Sequence, residues 1–441
     1  MRPRCHFSPP GWRRRSSMDI TPVVLAGGHG ERMQPFTKEV PKALLPVANC
    51  PLISLPLGHL ERCGFQTAVV VTVESIANQL KAFLAEKHTG ALNVDIVTVP
   101  DESDTAEALL AAKPKVRGDV LVLCADLVSD VPLQRLADLH HVRDAAVTVL
   151  LKEKAVPREG KAPPWEDAIV LDASKEQLLY MAAATDCDGS VDIRASLLRT
   201  HGHVRVFTTL VDVHCYIFAK WAFELLESRP QLTNIRYELL PFLLRHQYIR
   251  SEHPLPEASR ARPHASADRG GVLGGSALAT NPALLYCACL IEPAAGGVCV
   301  RANTLASYLD VNLEVARGAI TQPGAAPRSK GEVGGKSGFG AECVRGDSVE
   351  LGQQTFVKRS VIGDHCRLGS NVKVTNCVVM DHVTIGDKVT ITNCIIGSNA
   401  DLREGATLKD CHVGAAFTVE EGAMEKNQVL CKQEIMDEDD A

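Results

Sequence analysis

The sequence lacks several features that would indicate particular classes of protein. No apolar run approaches the length of about 20 residues that a membrane-spanning helix needs, so we predict no membrane span and no membrane partner. The net charge of −6 is spread over the chain, without the basic stripe that binds nucleic acid, so we expect no direct contact with DNA. The fifteen cysteines contain no CxxC pair and their number is odd. We therefore expect free thiols and a reducing compartment, the cytosol.

The segment 1–17 differs from the rest of the chain. It is basic, through Arg2, Arg4 and the arginines at 13–15, and it contains no apolar stretch that would act as a secretory signal. We interpret it as a disordered extension that precedes a second methionine, Met18. An arginine-rich mitochondrial presequence is the alternative that this composition leaves open.

From residue 18 to about 250, apolar strands alternate with helices. Continuous apolar runs predict strands at 23–26, 68–73, 94–99, 119–124 and 145–151, and helices are predicted at 52–63, 76–86 and 131–141. Strands that are apolar throughout and alternate with helices indicate a mostly parallel sheet covered on both faces. This part of the chain is therefore predicted to be one α/β domain.

The composition changes after residue 250. Residues 251–285 and 318–342 are rich in glycine, proline and small residues, so we predict a linker over 251–343 with a short ordered segment near 286–315. The last residues, 431–441, form an acidic tail.

A seventeen-residue repeat occupies the region between the linker and the tail, 344–430. Apolar residues recur at this step in three series, which are Ile362, Val379, Ile396 and Val413; Leu368, Ile385 and Leu402; and Val374, Ile391 and Leu408. Within each unit they are six, six and five residues apart. This spacing predicts a triangular solenoid with one inward residue on each side of every coil, and such coils offer surfaces for assembly.

A glycine-rich loop follows the first predicted strand. Gly27, Gly28 and Gly30 would let the backbone approach a phosphate closely, with its N–H groups directed at it. Arg32 would neutralise a pyrophosphate, and Lys42 would reach a phosphate as a point charge. A tight turn that needs glycine only for its geometry is the alternative.

The stretch 25–47, LAGGHGERMQPFTKEVPKALLPV, resembles the signature of the sugar-nucleotide pyrophosphorylase superfamily. The resemblance implies a Rossmann-like nucleotidyltransferase domain followed by a left-handed parallel β-helix of hexapeptide repeats. The left hand is implied by the resemblance alone. It also implies Mg²⁺ held by an aspartate after a strand, which corresponds here to Asp126, together with a Gly-Thr-Ala/Gly segment for the base and a Glu-Lys-Pro lysine for the sugar phosphate.

The chain departs from this pattern at three places. The base segment begins with Asp104 instead of glycine, the Glu-Lys-Pro position is replaced by the alanines at 182–184, and Asn-x-Gly is replaced by Asp212-Val213-His214. Without the lysine, the attacking phosphate would lose a cationic partner whose removal costs roughly 3 kcal/mol of barrier. We therefore expect no catalytic residue, and we interpret His214 as a packed histidine instead of a base.

Several segments are more similar to the gamma-subunit family of eukaryotic translation initiation factor 2B. They include 41–47 with 60–65, 119–130 (DVLVLCADLVSD), 210–216 (LVDVHCY), 236–245 (RYELLPFLLR) and 358–363 (KRSVIG). This resemblance implies a non-catalytic subunit of a guanine-nucleotide exchange factor that acts on the GTPase initiation factor 2. Its implied partners are the epsilon subunit, with which it pairs, and the alpha, beta and delta subunits.

The expected site is accordingly a vestigial or regulatory nucleotide site, formed by Gly27, Gly28, Gly30, Arg32, Lys42 and Asp126. We predict no resident cofactor and no metal; a regulatory nucleotide or nucleotide-sugar is left open, with Mg²⁺ only in its company. One rival hypothesis is an active pyrophosphorylase of the mannose-1-phosphate guanylyltransferase type. Another is a hexapeptide acyltransferase, for which His365 and His382 would stack on one face.

Overall fold

The computed structural model describes residues 20–86, 90–154, 167–187, 190–191, 193–247, 285–319, 328–329, 338–340 and 342–431. The predicted basic extension, residues 251–284 of the predicted linker and the predicted acidic tail after Cys431 lie outside the described residues.

The first part of the chain alternates strands and helices, as predicted. Its strands are β1 (Ile20–Leu25), β2 (Pro46–Val47), β3 (Cys50–Pro51), β4 (Thr67–Val73), β5 (Asn93–Val99), β6 (Asp119–Cys124), β7 (Leu127–Ser129), β8 (Val147–Glu153), β9 (Asp167–Asp172), β10 (Leu178–Ala183), β11 (Val204–Phe207), β12 (Leu210–Phe218), β13 (Cys287–Glu292) and β14 (Cys299–Arg301). Its helices are α1 (Ser54–Arg62), α2 (Glu74–Glu86), α3 (Thr105–Ala111), α4 (Leu133–Arg143), α5 (Ala195–Thr200), α6 (Ala222–Ser228), α7 (Leu240–Arg245) and α8 (Leu305–Arg317).

A seven-stranded sheet in the order β13-β8-β12-β6-β1-β4-β5 forms the centre of this domain. Strands β6, β1, β4 and β5 are parallel, and β12 runs antiparallel to both of its neighbours. The chain leaves β1 toward β4 on one side and later returns to β6 on the other. This reversal next to β1 creates a switch point, where α/β sheets bind ligands at the carboxyl ends of their strands.

The predicted limits of the linker differ from the structure. Strand β13 pairs in parallel with β8 along its whole length, and Cys287 and Cys289 are both buried there. Strand β14 pairs with β7. The chain therefore returns to the first domain after residue 284, because both faces of the added strand are covered by the domain core.

The repeat folds into a three-sided parallel β-helix. Its strands are β15 (Arg328–Ser329), β16 (Gly338–Phe339), β17 (Cys343–Arg345), β18 (Glu350–Leu351), β19 (Phe356–Lys358), β20 (Val361–Ile362), β21 (Arg367–Leu368), β22 (Lys373–Thr375), β23 (Val378–Val379), β24 (Thr384–Ile385), β25 (Thr390–Thr392), β26 (Ile395–Ile396), β27 (Asp401–Leu402), β28 (Thr407–Lys409), β29 (His412–Val413), β30 (Thr418–Val419), β31 (Met424–Lys426) and β32 (Val429–Leu430). They form three sheets, and every third strand pairs with the strand one coil away.

The register of the coils confirms the predicted period. Val374 pairs with Ile391, and Ile391 pairs with Leu408, so each partner lies one full repeat further along the chain. These side chains are buried in one continuous apolar core. The ladder begins earlier than the predicted residue 344, because β16 already pairs in parallel with β19.

One face of the β-helix packs against the first domain. On this face the outward residues Val344, Val361, Val378 and Ile395 are buried as well as the inward ones. They belong to a single apolar cluster with Met33 and Phe36 of the glycine-loop segment and with Tyr308 and Val311 of α8. Helix α8 thus lies between the two domains and joins their cores.

Asn312 of α8 makes a buried polar connection in this interface. The Ala48 backbone N–H donates a hydrogen bond to Asn312 Oδ1 at 2.9 Å, and Asn312 Nδ2 donates to the Tyr308 carbonyl at 2.9 Å. We expect Asn312→Leu to lower the free energy of unfolding by about 1 to 3 kcal/mol, because the Ala48 N–H would remain buried without a partner. Urea denaturation measures this loss. The exposed Asp310→Leu on the same helix is the control, and an equal effect of both variants would contradict the assignment.

Candidate functional site

A cleft of about 360 Å³ opens at the carboxyl ends of β1, β4 and β6. The apolar part of its lining includes Val71, Val73 and Val99. The loop after β1 and the loop after β6 border it, because both strands are parallel and end at the same edge of the sheet. This volume falls within the range of small-molecule sites in proteins.

The glycine loop forms one border of the cleft. A side chain at Gly28 would meet no atom within 4 Å, so the space beside its backbone is open. Gly27 lies against Val73, and a Cβ there would approach Val73 Cγ1 at 3.0 Å. Gly30 has a φ of +75°, and a Cβ at this position would lie 2.9 Å from Thr37 Cγ2. Gly28 therefore borders open space, Gly27 packs closely on Val73, and the positive φ and close contacts of Gly30 favour glycine there.

Asp126 lies beyond the end of β6 and is held by two cations. The guanidinium of Arg301 donates two hydrogen bonds to it, from Nε to Oδ1 at 3.1 Å and from Nη2 to Oδ2 at 3.0 Å. Lys42 Nζ forms an ion pair with Oδ2. The Ala302 N–H also donates to the Asp126 carbonyl at 2.9 Å, which fixes the end of β14 beside this carboxylate. We call Lys42, Asp126 and Arg301 the charged triad.

The triad keeps Asp126 ionised. Burial alone would raise the pKa of this carboxyl, but the positive charges of Arg301 and Lys42 and their hydrogen bonds hold it well below its usual range. The same contact raises the pKa of Arg301 against the effect of its burial. Two cations and one anion leave the triad with a net charge of +1.

The triad does not fit the Mg²⁺ that the superfamily resemblance implies. Mg²⁺ takes carboxylate oxygens in an octahedral shell, and both oxygens of Asp126 already accept bonds from Arg301 and Lys42. A divalent cation at Asp126 would also be repelled by two neighbouring positive charges. Among the described residues, no group of three or more His, Cys, Asp or Glu side chains is arranged to hold a metal ion.

A second buried charge network lies beside the cleft. Arg236 forms ion pairs with both Asp167 and Asp212, and Asp212 also accepts hydrogen bonds from the Tyr216 hydroxyl and from the His214 N–H. Burial would raise the pKa of Asp212, but the electrostatic interactions with His214 and Arg236 and these hydrogen bonds bring it below its ordinary value. This carboxylate is therefore committed to contacts within the protein.

His214 lies on a bulge of β12, between Asp212 and Tyr216, with a φ of +55°. Its side chain is only 23% exposed and packs beside Tyr216, as expected of a packed histidine, and it also lines the cleft. Burial, together with the charges of Arg301 and Arg236, lowers the pKa of His214 to about 4. The ring is neutral at pH 7 and adds no positive charge to the site.

The segment corresponding to the base loop serves as a helix cap. Asp104 is the N-cap of α3 and accepts from the Thr105 N–H at 2.6 Å. Asn234 Nδ2 donates to both oxygens of the same carboxylate, at 3.0 and 2.9 Å. The side chain that replaces the expected glycine therefore lies on the cleft wall, with its oxygens bound by neighbouring protein groups.

Four of the six predicted site residues line the cleft, namely Gly27, Gly28, Lys42 and Asp126. Gly30 shapes the turn, and its carbonyl accepts from Thr37 Oγ1 at 2.9 Å. Arg32 is exposed and is not on the cleft wall. Arg301 was not among the predicted site residues, because it is far from Asp126 along the chain and belongs to no recognisable motif.

The histidines of the rival acyltransferase hypothesis stack as predicted. The rings of His365 and His382 have centroids 5.0 Å apart and an interplanar angle of 14°. Both residues are exposed at a corner of the β-helix, with φ values of +56° and +58°. They are ordinary corner residues on an open surface.

The fold and the site together define a class of protein. A switch-point cleft with a glycine loop, followed by a three-sided β-helix docked on the same domain, is the architecture of a nucleotidyltransferase domain joined to hexapeptide coils. The family model "Nucleotidyl transferase" matches residues 21–161, and "EIF2B subunit epsilon LbH domain" matches residues 329–425. These matches agree with the predicted Rossmann-like domain followed by a left-handed β-helix.

The chain is similar over most of its length to proteins named Translation initiation factor eIF2B subunit gamma. The protein from Dictyostelium discoideum is 28% identical over 77% of this chain and 86% of its own, and that from Schizosaccharomyces pombe is 26% identical over 70% and 69%. The eIF2B subunit epsilon of S. pombe is 23% identical over 43% of this chain and 30% of its own. The predicted resemblance to the gamma-subunit family is confirmed.

Two further expectations concern thiols and membranes. None of the described cysteines is in a disulfide. In the described part of the chain, no helix has the length and apolar character needed to cross a membrane.

Proposed function

We propose that this chain is a non-catalytic gamma-type subunit of the guanine-nucleotide exchange factor for translation initiation factor 2, acting in the cytosol. The observation that supports this proposal most strongly is the similarity to gamma subunits over 77% and 70% of the chain. In this role the chain pairs with the epsilon subunit, joins the alpha, beta and delta subunits, and helps to dock the GTPase. It contacts neither DNA nor a membrane.

The chemistry of the cleft supports a non-catalytic role. The acid at the end of β6 is neutralised within the protein, and the alanines at 182–184 supply no cation for a sugar phosphate. A nucleotidyl transfer site must offset the charge that develops on the attacked phosphate. We therefore interpret the glycine loop as a retained feature that holds a regulatory nucleotide or none.

Affinity purification of the tagged full-length chain from the cytosolic fraction of cells tests this function. We expect stoichiometric recovery of epsilon, with the other subunits and initiation factor 2 identified by mass spectrometry. Ile391→Asp, which is expected to disrupt the β-helix, should lose these companions, whereas the control Thr390→Asp should keep them. Recovery of the wild-type chain alone, or only with copies of itself, would refute the proposal.

The rival function is a pyrophosphorylase of the mannose-1-phosphate guanylyltransferase type. The match to the nucleotidyl transferase family over residues 21–161 is the observation in its favour. We expect no release of pyrophosphate from GTP and mannose 1-phosphate above the level given by Asp126→Asn. Turnover that depends on Asp126 would establish the rival instead.

A further inference from the structure

Arg301 lines the same cleft as the glycine loop. Its guanidinium points into the cleft and engages both oxygens of Asp126, and its side chain is 16% exposed. Its backbone is fixed on both sides, because Arg301 pairs with Leu127 in the β14–β7 ladder and the next residue bonds to the Asp126 carbonyl. The position of the Arg301 side chain is therefore set by the backbone pairing of β14.

A fixed guanidinium can perform one task of a divalent cation. In phosphoryl chemistry the metal neutralises phosphate charge and orients the phosphate oxygens. Arginine offers planar N–H donors that match the geometry of a phosphate, and it remains charged at every pH at which proteins fold. With Lys42 beside it, the triad presents a net charge of +1 in the cleft that Gly28 also lines. The two other carboxylates of the lining, Asp101 and Asp104, accept hydrogen bonds from Ser75 and Asn234.

We propose that Arg301 occupies the place of the divalent cation, so that this cleft binds the phosphate of a nucleotide without metal. The phosphate contacts the Arg301–Lys42 pair and the loop N–H groups near Gly28, and the nucleoside lies along the apolar wall near Val73 and Val99. Asp126 serves to position the two cations. The proposal rests on the geometry of the cleft and does not depend on which complex the chain joins.

The first measurement uses Mn²⁺ as the probe. Electron paramagnetic resonance of Mn²⁺ titrated with the full-length chain should detect no bound metal in the wild-type protein. Arg301→Gln frees Asp126 from the guanidinium but not from Lys42, so it should bind Mn²⁺ only when GDP is added and supplies phosphate oxygens, and the double variant Arg301→Gln, Asp126→Asn should bind none. Arg205→Gln, at an exposed arginine of β11, is the matched control and should behave like the wild type.

The second measurement uses GDP as the probe, by isothermal titration in EDTA and in excess Mg²⁺. The wild type should bind GDP equally well in both, and Arg301→Gln should bind at least about tenfold more weakly in EDTA. Arg301→Lys keeps the positive charge but loses the paired N–H donors of the guanidinium, so its affinity for GDP in EDTA should lie between those of the wild type and Arg301→Gln. This variant provides a test if Arg301→Gln folds poorly. Mn²⁺ bound by the wild type, GDP binding that requires Mg²⁺, or no GDP binding at all would each overturn the proposal.

Discussion

Ile391→Asp is expected to unfold the middle coils of the β-helix. The Ile391 side chain is completely buried between Val374 and Leu408 of the neighbouring coils. The substitution removes a buried aliphatic group and places a carboxylate in an apolar core, at a cost of roughly 5 kcal/mol or more. Because the inward side chains of each coil pack on those of its neighbours, the loss should spread to the coils on both sides.

The adjacent residue provides a matched control for this prediction. Thr390 is on the same strand but points outward, and its lateral neighbours are Lys373 and Thr407. Thr390→Asp should change the free energy of unfolding by no more than about 1 kcal/mol, as surface substitutions usually do. Urea denaturation compares the two variants, and limited proteolysis with mass spectrometry locates the opened coils. Equal stability of both variants would mean that the assigned inward face is wrong.

Arg236→Met is expected to destabilise the first domain by about 3 to 5 kcal/mol. Arg236 is the cation shared by Asp167 and Asp212, which are both buried, and its removal takes the same guanidinium from two buried carboxylates. Arg245→Met, at an exposed position in the nearby helix α7, removes the same charge and should have little effect. Thermal and urea denaturation measure both. A loss as small as that of the control would show that the network adds nothing to stability.

The effect of pH provides a second test of the same network. In the wild type the pKa of Asp212 is below its ordinary value, so its contribution to stability is present above the unfolded pKa and is lost as the pH falls through the folded one. Without Arg236, burial should raise the pKa of this carboxyl. Protonation then relieves the unpaired charge, and the stability gap between variant and wild type should narrow as the pH falls from 7 toward 4. A gap that stays constant over this range would contradict the assignment.

The local elements of this protein follow from local patterns in its sequence. The predicted helices at 52–63 and 76–86 correspond to α1 and α2, and the inward residues of the β-helix occupy the predicted register. Such patterns are readable because a buried strand is apolar throughout and a coil of constant length repeats its inward positions. The sequence did not predict which outward residues of the coils would be buried. Val378 and Ile395 are apolar because a neighbouring domain covers them.

The sequence predicted some residues of the candidate site and not others. The glycine loop, Lys42 and Asp126 were recognised because they lie in or beside strand-end motifs. Arg301 was not recognised, since its strand follows a long segment that resembles a linker and no spacing relates it to Asp126. His214 is mostly buried, as predicted, but its place in the cleft lining was not, because the bulge that carries it leaves no periodic signal.

By itself the sequence determined the two domain types, the register of the coils and the loss of the lysine that a sugar phosphate would need. These properties are local or periodic, so each is specified by residues close together in the chain. Only the tertiary structure showed how β13, β14 and α8 return to the first domain. It also showed why both the inward and the outward residues are buried on one face of the β-helix. It also decided that the acid at the end of β6 pairs with an arginine, because such long-range contacts depend on chain return and packing, which short-range spacing does not encode.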